Sequence, residues 1–400
     1  MRAGIQFWIR IALFNLLIVA LLGLLMRYKI CFEFPYLDQK HLQFSHYHFA
    51  FYGWISHTLM ALMVDCIQRR RPGLNLKKYN AVFTLNLAGS YGMLFAFILW
   101  GYGIGAVICS VISIFSAILF AYYFIMDTRE SVVTLPVRWF RAALLFNILS
   151  AIGILAIAYM MLTKNLHQKE YLASVYYFLH FQYNGWFFFA CMGLFMDYIN
   201  GTGKINLLAF RLFFISCIPA YFLSVLWLRL PDWLYGIVVV AAIAQVYAWF
   251  LVIKTLIVER TISKIRLPLI LQYIVLFIGI AVSIKLLLQL GSTIPVVSKL
   301  AFGFRPVVIA YLHLVLLAII SFFLLFYIYA GDVLTSSRKI LLGFVLFSVG
   351  VLLNEIVLAI QGIAAFTYTV VPFVNETLLL AAALLVGGIA VLAVLSIKKN

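Results

Sequence analysis

Four of the chain's seven histidines fall in one stretch, His41-Leu-Gln-Phe-Ser-His46-Tyr-His48-Phe-Ala-Phe-Tyr-Gly53-Trp54-Ile-Ser-His57, which runs into an apolar segment ending at Arg69-Arg70-Arg71. An imidazole inside a bilayer is costly unless it has a partner, so such residues are candidates for function. Neutral imidazole is a good ligand for iron, copper or zinc, and two histidines from facing helices can hold a haem axially. The plain alternative is that each ring only hydrogen-bonds to a neighbouring helix.

The elements that must position these rings are membrane spans. Of the 400 residues, 66% are apolar and 10% charged, and runs of about 18 or more apolar residues mark spans. The pattern predicts twelve, near 6–26, 45–67, 80–100, 104–126, 139–163, 171–196, 207–228, 232–253, 267–290, 303–330, 340–361 and 373–397. They form one all-α polytopic domain over 1–400 with no hydrophilic block, no internal repeat and no matched pair of broken spans. Residues 7–26 are too long for a signal-peptide core and are expected to remain as a span. Pro219 is expected to kink the seventh span.

The net charge of +17 is not a nucleic-acid signature, because the basic residues sit in short connections. With the amino terminus inside, 19 of the 29 fall on the inner side: Arg2, Arg69–Arg71, Lys77, Lys78, Arg129, Arg138, Arg141, Lys204, Arg211, Lys254, Arg260, Lys264, Arg266, Arg338, Lys339, Lys398 and Lys399. Eight fall outside, and Arg10 and Lys285 lie within spans. That bias predicts both termini in the cytoplasm of a bacterial-type inner membrane. The five cysteines show no Cys-x-x-Cys spacing, which argues against a disulfide framework, a structural zinc site and covalent haem.

Under this topology spans 2, 6 and 10 run in the same direction and carry His48, His180 and His313. Counted from their inner ends these lie about 19, 17 and 17 residues deep, one layer at roughly 1.5 Å per residue. His57 lies deeper and on the opposite helix face from His48. His46 points elsewhere, His41 is interfacial, and His167 is in an outer loop. Trp54 and Trp186 could wall a macrocycle or simply pack between helices. Lys285 and Glu355 come near the same level. Lys285 could meet haem propionates and Glu355 could relay protons, or the two could pair with each other or with backbone carbonyls. Asp65 is placed at the inner interface.

Twelve spans with histidines on 2, 6 and 10 resemble subunit I of the haem-copper oxidases and the related nitric oxide reductases. Ser45-His-Tyr-His48-Phe-Ala-Phe-Tyr-Gly-Trp54 looks like that family's span 2 motif. Tyr311-Leu-His313-Leu-Val looks like its span 10 motif, with Tyr311 in place of the high-spin haem ligand. His180-Phe-Gln-Tyr-Asn-Gly185 is similar to the reductases' His-x-x-x-Glu-Gly, with Asn184 where glutamate would stand. Span 7 lacks the family's adjacent histidines, and 362–375 lacks its paired arginines.

The resemblance implies a low-spin b-type haem on His48 and His313, with Trp54, Tyr311 and Lys285 near it. His180, with Gln182 and Asn184, would line a remnant second pocket for a second haem, a metal or a small molecule. The implied function is electron transfer, or sensing or handling of NO or O2; the missing ligands argue against oxygen reduction. Electrons would come from a quinol or a separate subunit. Two other readings stay open: a cofactor-free transporter or structural component with a polar cavity, and a zinc or copper enzyme using the histidine layer.

Overall fold

A computed structural model describes residues 3–129, 133–258, 268–331 and 338–397. Arg2, Arg260, Lys264, Arg266, Lys398 and Lys399, which carry part of the charge bias, lie outside them. The described residues form α1 (Ala3–Cys31), α2 (Gln39–Arg70), α3 (Leu76–Trp100), α4 (Ile104–Asp127), α5 (Leu135–Leu162) and α6 (168–198). They continue with α7 (Lys204–Cys217), α8 (Asp232–Val258), α9 (Leu269–Gly291), α10 (Arg305–Ala330), α11 (Arg338–Phe366) and α12 (Val374–Ile397). A 3-10 segment, Pro219–Val225, follows α7, and a short helix, Pro295–Gly303, precedes α10.

Ten of these helices are long and apolar enough to cross a membrane, or eleven if α7 and its bent extension make one span. This is an all-helical, multi-pass membrane protein. The helix outside that set is α6, whose length includes Gln168, Lys169, Glu170, His180, Gln182 and Asn184. The chain direction changes by 49° between Cys217 and Pro219, where the proline ring removes a backbone donor. At the start of α2 the Asp38 carboxylate accepts the Lys40 and His41 amides at 2.8 and 3.0 Å. Those bonds, that of His41 foremost, hold its carboxyl below the usual carboxylate range. No side chain caps α6 in this way.

Two compact units divide the chain between Phe323 and Leu324 and between Asp127 and Thr128. In the first, α1 packs on α12 and α2, α3 lies between α2 and α4, and α11 pairs with α12. Asp127 ties three helix ends together: its carboxylate accepts Lys78 at 2.7 Å and Tyr79 at 2.6 Å, and its carbonyl accepts Arg71 at 3.0 Å. Asp65, placed at the interface by sequence, is 3% exposed and bonded to Arg69 at 3.2 Å. In the second unit α5 packs on α6, α7 on α8, and α8 on α9, while α9 meets the middle of α10.

Burial follows polarity in the sense opposite to a soluble protein. In α2, the least apolar of the ten, 94% of the most apolar window is buried, against 28% in the far more apolar α4. Lipid is the apolar solvent here, so helices carrying polar groups gain most from the protein interior.

Candidate functional site: histidines at the start of π-helical turns

His48, His180 and His313 share a local structure. Each ends an α-helical segment and is followed at once by π-helix: Phe49–Ser56, Phe181–Phe187 and Leu314–Ser321. Such widened turns are rare and usually only one turn long, and they concentrate at functional sites. Widening displaces the backbone ladder, and side chains take up the displaced carbonyls. The Tyr52 carbonyl accepts Asn86 at 3.0 Å, and the Gly53 carbonyl accepts Asn15 at 2.6 Å, whose own oxygen accepts the Tyr91 hydroxyl at 2.7 Å. In the second segment the Cys217 thiol points at the Asn184 carbonyl at 3.8 Å, and in the third Ser321 donates to Leu316 at 2.8 Å.

The shared geometry coincides with a short sequence match. His48-Phe-Ala-Phe-Tyr-Gly53-Trp54 and His180-Phe-Gln-Tyr-Asn-Gly185-Trp186 match as His-Phe-x-aromatic-x-Gly-Trp. The third copy, His313-Leu-Val-Leu-Leu-Ala318, keeps only the histidine and a small residue. The three histidines are 132 and 133 residues apart. The glycines are there for space: a Cβ on Gly185 would lie 2.5 Å from Phe146 Cβ, and one on Gly53 2.8 Å from the Phe49 ring.

His48 and His313 are held alike. His48 Nδ1 lies 3.0 Å from the Phe44 carbonyl, and His313 Nδ1 lies 2.9 Å from the Ile309 carbonyl. A carbonyl only accepts, so Nδ1 carries the proton and Nε2 the lone pair. Metal-ligating histidines are fixed in this manner by their second nitrogen. Both rings are half-buried. His48 stacks on Phe97 (4.4 Å, 28°) and lies against Tyr47 (4.4 Å, 33°). Tyr311, also half-buried, meets Tyr183 edge-on at 6.2 Å.

His180 differs. It is fully buried, its Nε2 donates to the Cys217 carbonyl at 2.8 Å, and its Nδ1 accepts from Asn184 Nδ2 at 3.1 Å. Donor and acceptor are both in use, which leaves no lone pair for a metal. Asn184 Oδ1 and Gln182 Oε1 stay buried without a donor, although Gln182 Nε2 reaches Asn147 at 2.9 Å and Ser150 at 2.7 Å. Cys217 serves chiefly through its backbone carbonyl at the helix break.

The remaining candidates are dispersed. His46 Nδ1 bonds the Val19 carbonyl at 3.1 Å, and His41 Nδ1 the Ile98 carbonyl at 3.3 Å. His57 is wholly buried between Trp8 and Phe83, 5.8 Å from each, with neither ring nitrogen hydrogen-bonded. Trp54 and Trp186 are buried within their π segments. Glu355 is half-buried and accepts Asn354 Nδ2 at 3.2 Å. Lys285 is buried in the second unit with its amine 5.2 Å above the Phe188 ring. Among the described residues no three His, Cys, Asp or Glu side chains gather as a metal-binding group. The site partners that the sequence missed, Asn15 and Asn86, were visible as amides inside apolar spans.

Protein-family models give no match to this chain, and neither do the curated proteins.

Proposed function

We propose that this chain is a haem-binding membrane protein with an oxidase-like bundle of twelve spans, α6 and the bent α7 included. His48 and His313 would each offer Nε2 to haem iron, both termini are cytoplasmic, and the membrane is an inner membrane of bacterial type. One observation carries the assignment: these two histidines alone pair a π-helical start with a proton on Nδ1 fixed by the carbonyl four residues back. That tautomer directs the Nε2 lone pair outward, as an axial ligand requires.

The residues fit a b-type haem. Two neutral imidazoles suit low-spin iron, both residues are half-buried, and Phe97 and Tyr47 offer flat apolar surface beside His48. A bound haem would supply a one-electron couple, serving electron transfer or the handling or sensing of a diatomic gas such as NO. The protein's own part is to fix both tautomers and to surround the site with hydrocarbon and aromatic side chains. His180 supports the bundle instead of a second metal, because both of its nitrogens are committed.

The test is an optical spectrum of protein purified after expression with ample haem. A low-spin b-type spectrum that changes on reduction is expected. Pure, folded protein without a chromophore overturns the proposal.

A further inference from the structure

Lys285 is a cation within a span that neither the histidine sites nor the helix ends account for. It lies mid-helix in α9 and is 3% exposed, while Ile284, Leu287 and Leu288 on the other flank are about half-exposed. Its amine sits over Phe188 at 5.2 Å and makes no hydrogen bond or ion pair with any described residue. His180 and Cys217 are within electrostatic reach. His180, however, has no nitrogen left to accept a proton, and the Cys217 carbonyl already holds His180. Gln289, one turn along on the same face, is buried with its Oε1 lacking any donor, so it does not serve the amine either.

Three N–H donors on a desolvated ammonium are thus met by one aromatic face. Removing an amine's charge from water costs several kcal/mol unless a counter-charge accompanies it, and no carboxylate among the described residues of this unit supplies one. Glu170, Asp197 and Asp232 lie at the ends of α6 and α8.

We propose that Lys285 binds a small monovalent inorganic anion inside the second unit. A single amine brings one positive charge, which favours monovalent, weakly hydrated ions that shed water readily over divalent oxyanions. This site does not depend on haem, and its test reads a different signal.

Purified protein is exchanged into gluconate at fixed ionic strength and titrated with chloride, bromide, nitrate or sulfate while Tm is followed. The wild type is expected to show a saturable rise with chloride, bromide and nitrate and none with sulfate. Lys285→Met should lose that response, and Lys285→Arg should keep it. An absent or non-saturating response in the wild type, or the same response in Lys285→Met, overturns the site. If Lys285→Met does not fold, crystals grown in bromide decide: an anomalous peak beside Nζ supports the site, and its absence overturns it. A colourless protein that passes this test would refute the haem proposal alone.

Discussion

Helices α2 and α6 carry the same seven-residue pattern and the same π-helical widening, yet they use the histidine in opposite ways. In α2 the ring bonds back to its own helix, Nδ1 to the Phe44 carbonyl, which leaves the lone pair on Nε2. In α6 the ring bridges to the carbonyl at the break after α7 and is locked by Asn184 one turn on. The lesson concerns neighbours. A helix break next to α6 frees a carbonyl that must be satisfied, and the imidazole is the group that satisfies it. His48 bonds instead to a carbonyl of its own helix, so a similar local motif keeps the opposite tautomer there.

The largest expected effect breaks the comparison at the cofactor. With haem-loaded protein, His48→Ala or His313→Ala should abolish the low-spin spectrum, while His180→Ala should leave it in the fraction that folds. Loss of the spectrum in folded His180→Ala, or its survival in His48→Ala, would reverse the assignment.

Stability should run the other way. His180→Ala orphans the Cys217 carbonyl and the Asn184 amide, and each buried unsatisfied group costs about 1–3 kcal/mol. His48→Ala frees only an intrahelical carbonyl in a half-buried position and should cost less. Reversible unfolding in mixed micelles measures both.

The glycines give a smaller contrast. In Gly185→Ala the new methyl meets the Cβ of Phe146, a backbone-anchored atom, and overpacking of this kind costs about 1–3 kcal/mol. In Gly53→Ala the methyl meets the Phe49 ring, which can turn, so the loss should be smaller; equal losses would mean that the two π segments are equally rigid.

The smallest effect is at the helix starts. The Asp38 carboxyl is held below its usual range by amide bonds, so its contribution is complete above the unfolded carboxylate value and fades as pH falls through the lower folded value. Asp38→Ala should therefore speed exchange of the Lys40 and His41 amides at neutral pH and matter less in acid. His167→Ala at α6, where no side chain caps the helix, should change little at either pH.

Much of the fold was legible because lipid imposes a simple rule on sequence: long apolar runs, broken by basic connections. The limit of that rule is α6, where Gln168, Lys169, Glu170, Gln182 and Asn184 dilute a helix that lies largely inside the protein. The histidine positions and the kink at Pro219 could also be read directly. What could not be read was which nitrogen each ring commits. Cys217 is 37 residues from His180, and its carbonyl becomes an acceptor only because the helix breaks there.

One consequence of the packing of α2 concerns mechanics. Between Gln39 and His48 only Leu42 and Ser45 are buried, whereas nearly every residue from Phe49 to Gln68 is. Beyond that, Asp65 grips Arg69, which also reaches Tyr327 at 3.1 Å, and Arg71 holds the Asp127 carbonyl. The helix is a cantilever, clamped over the two-thirds that follow His48, with His48 where the clamp ends. A force on the imidazole bends the Gln39–His48 arm about the first π turn and leaves the anchored part still, so a load on that ring is felt first at the Gln39 end of the helix.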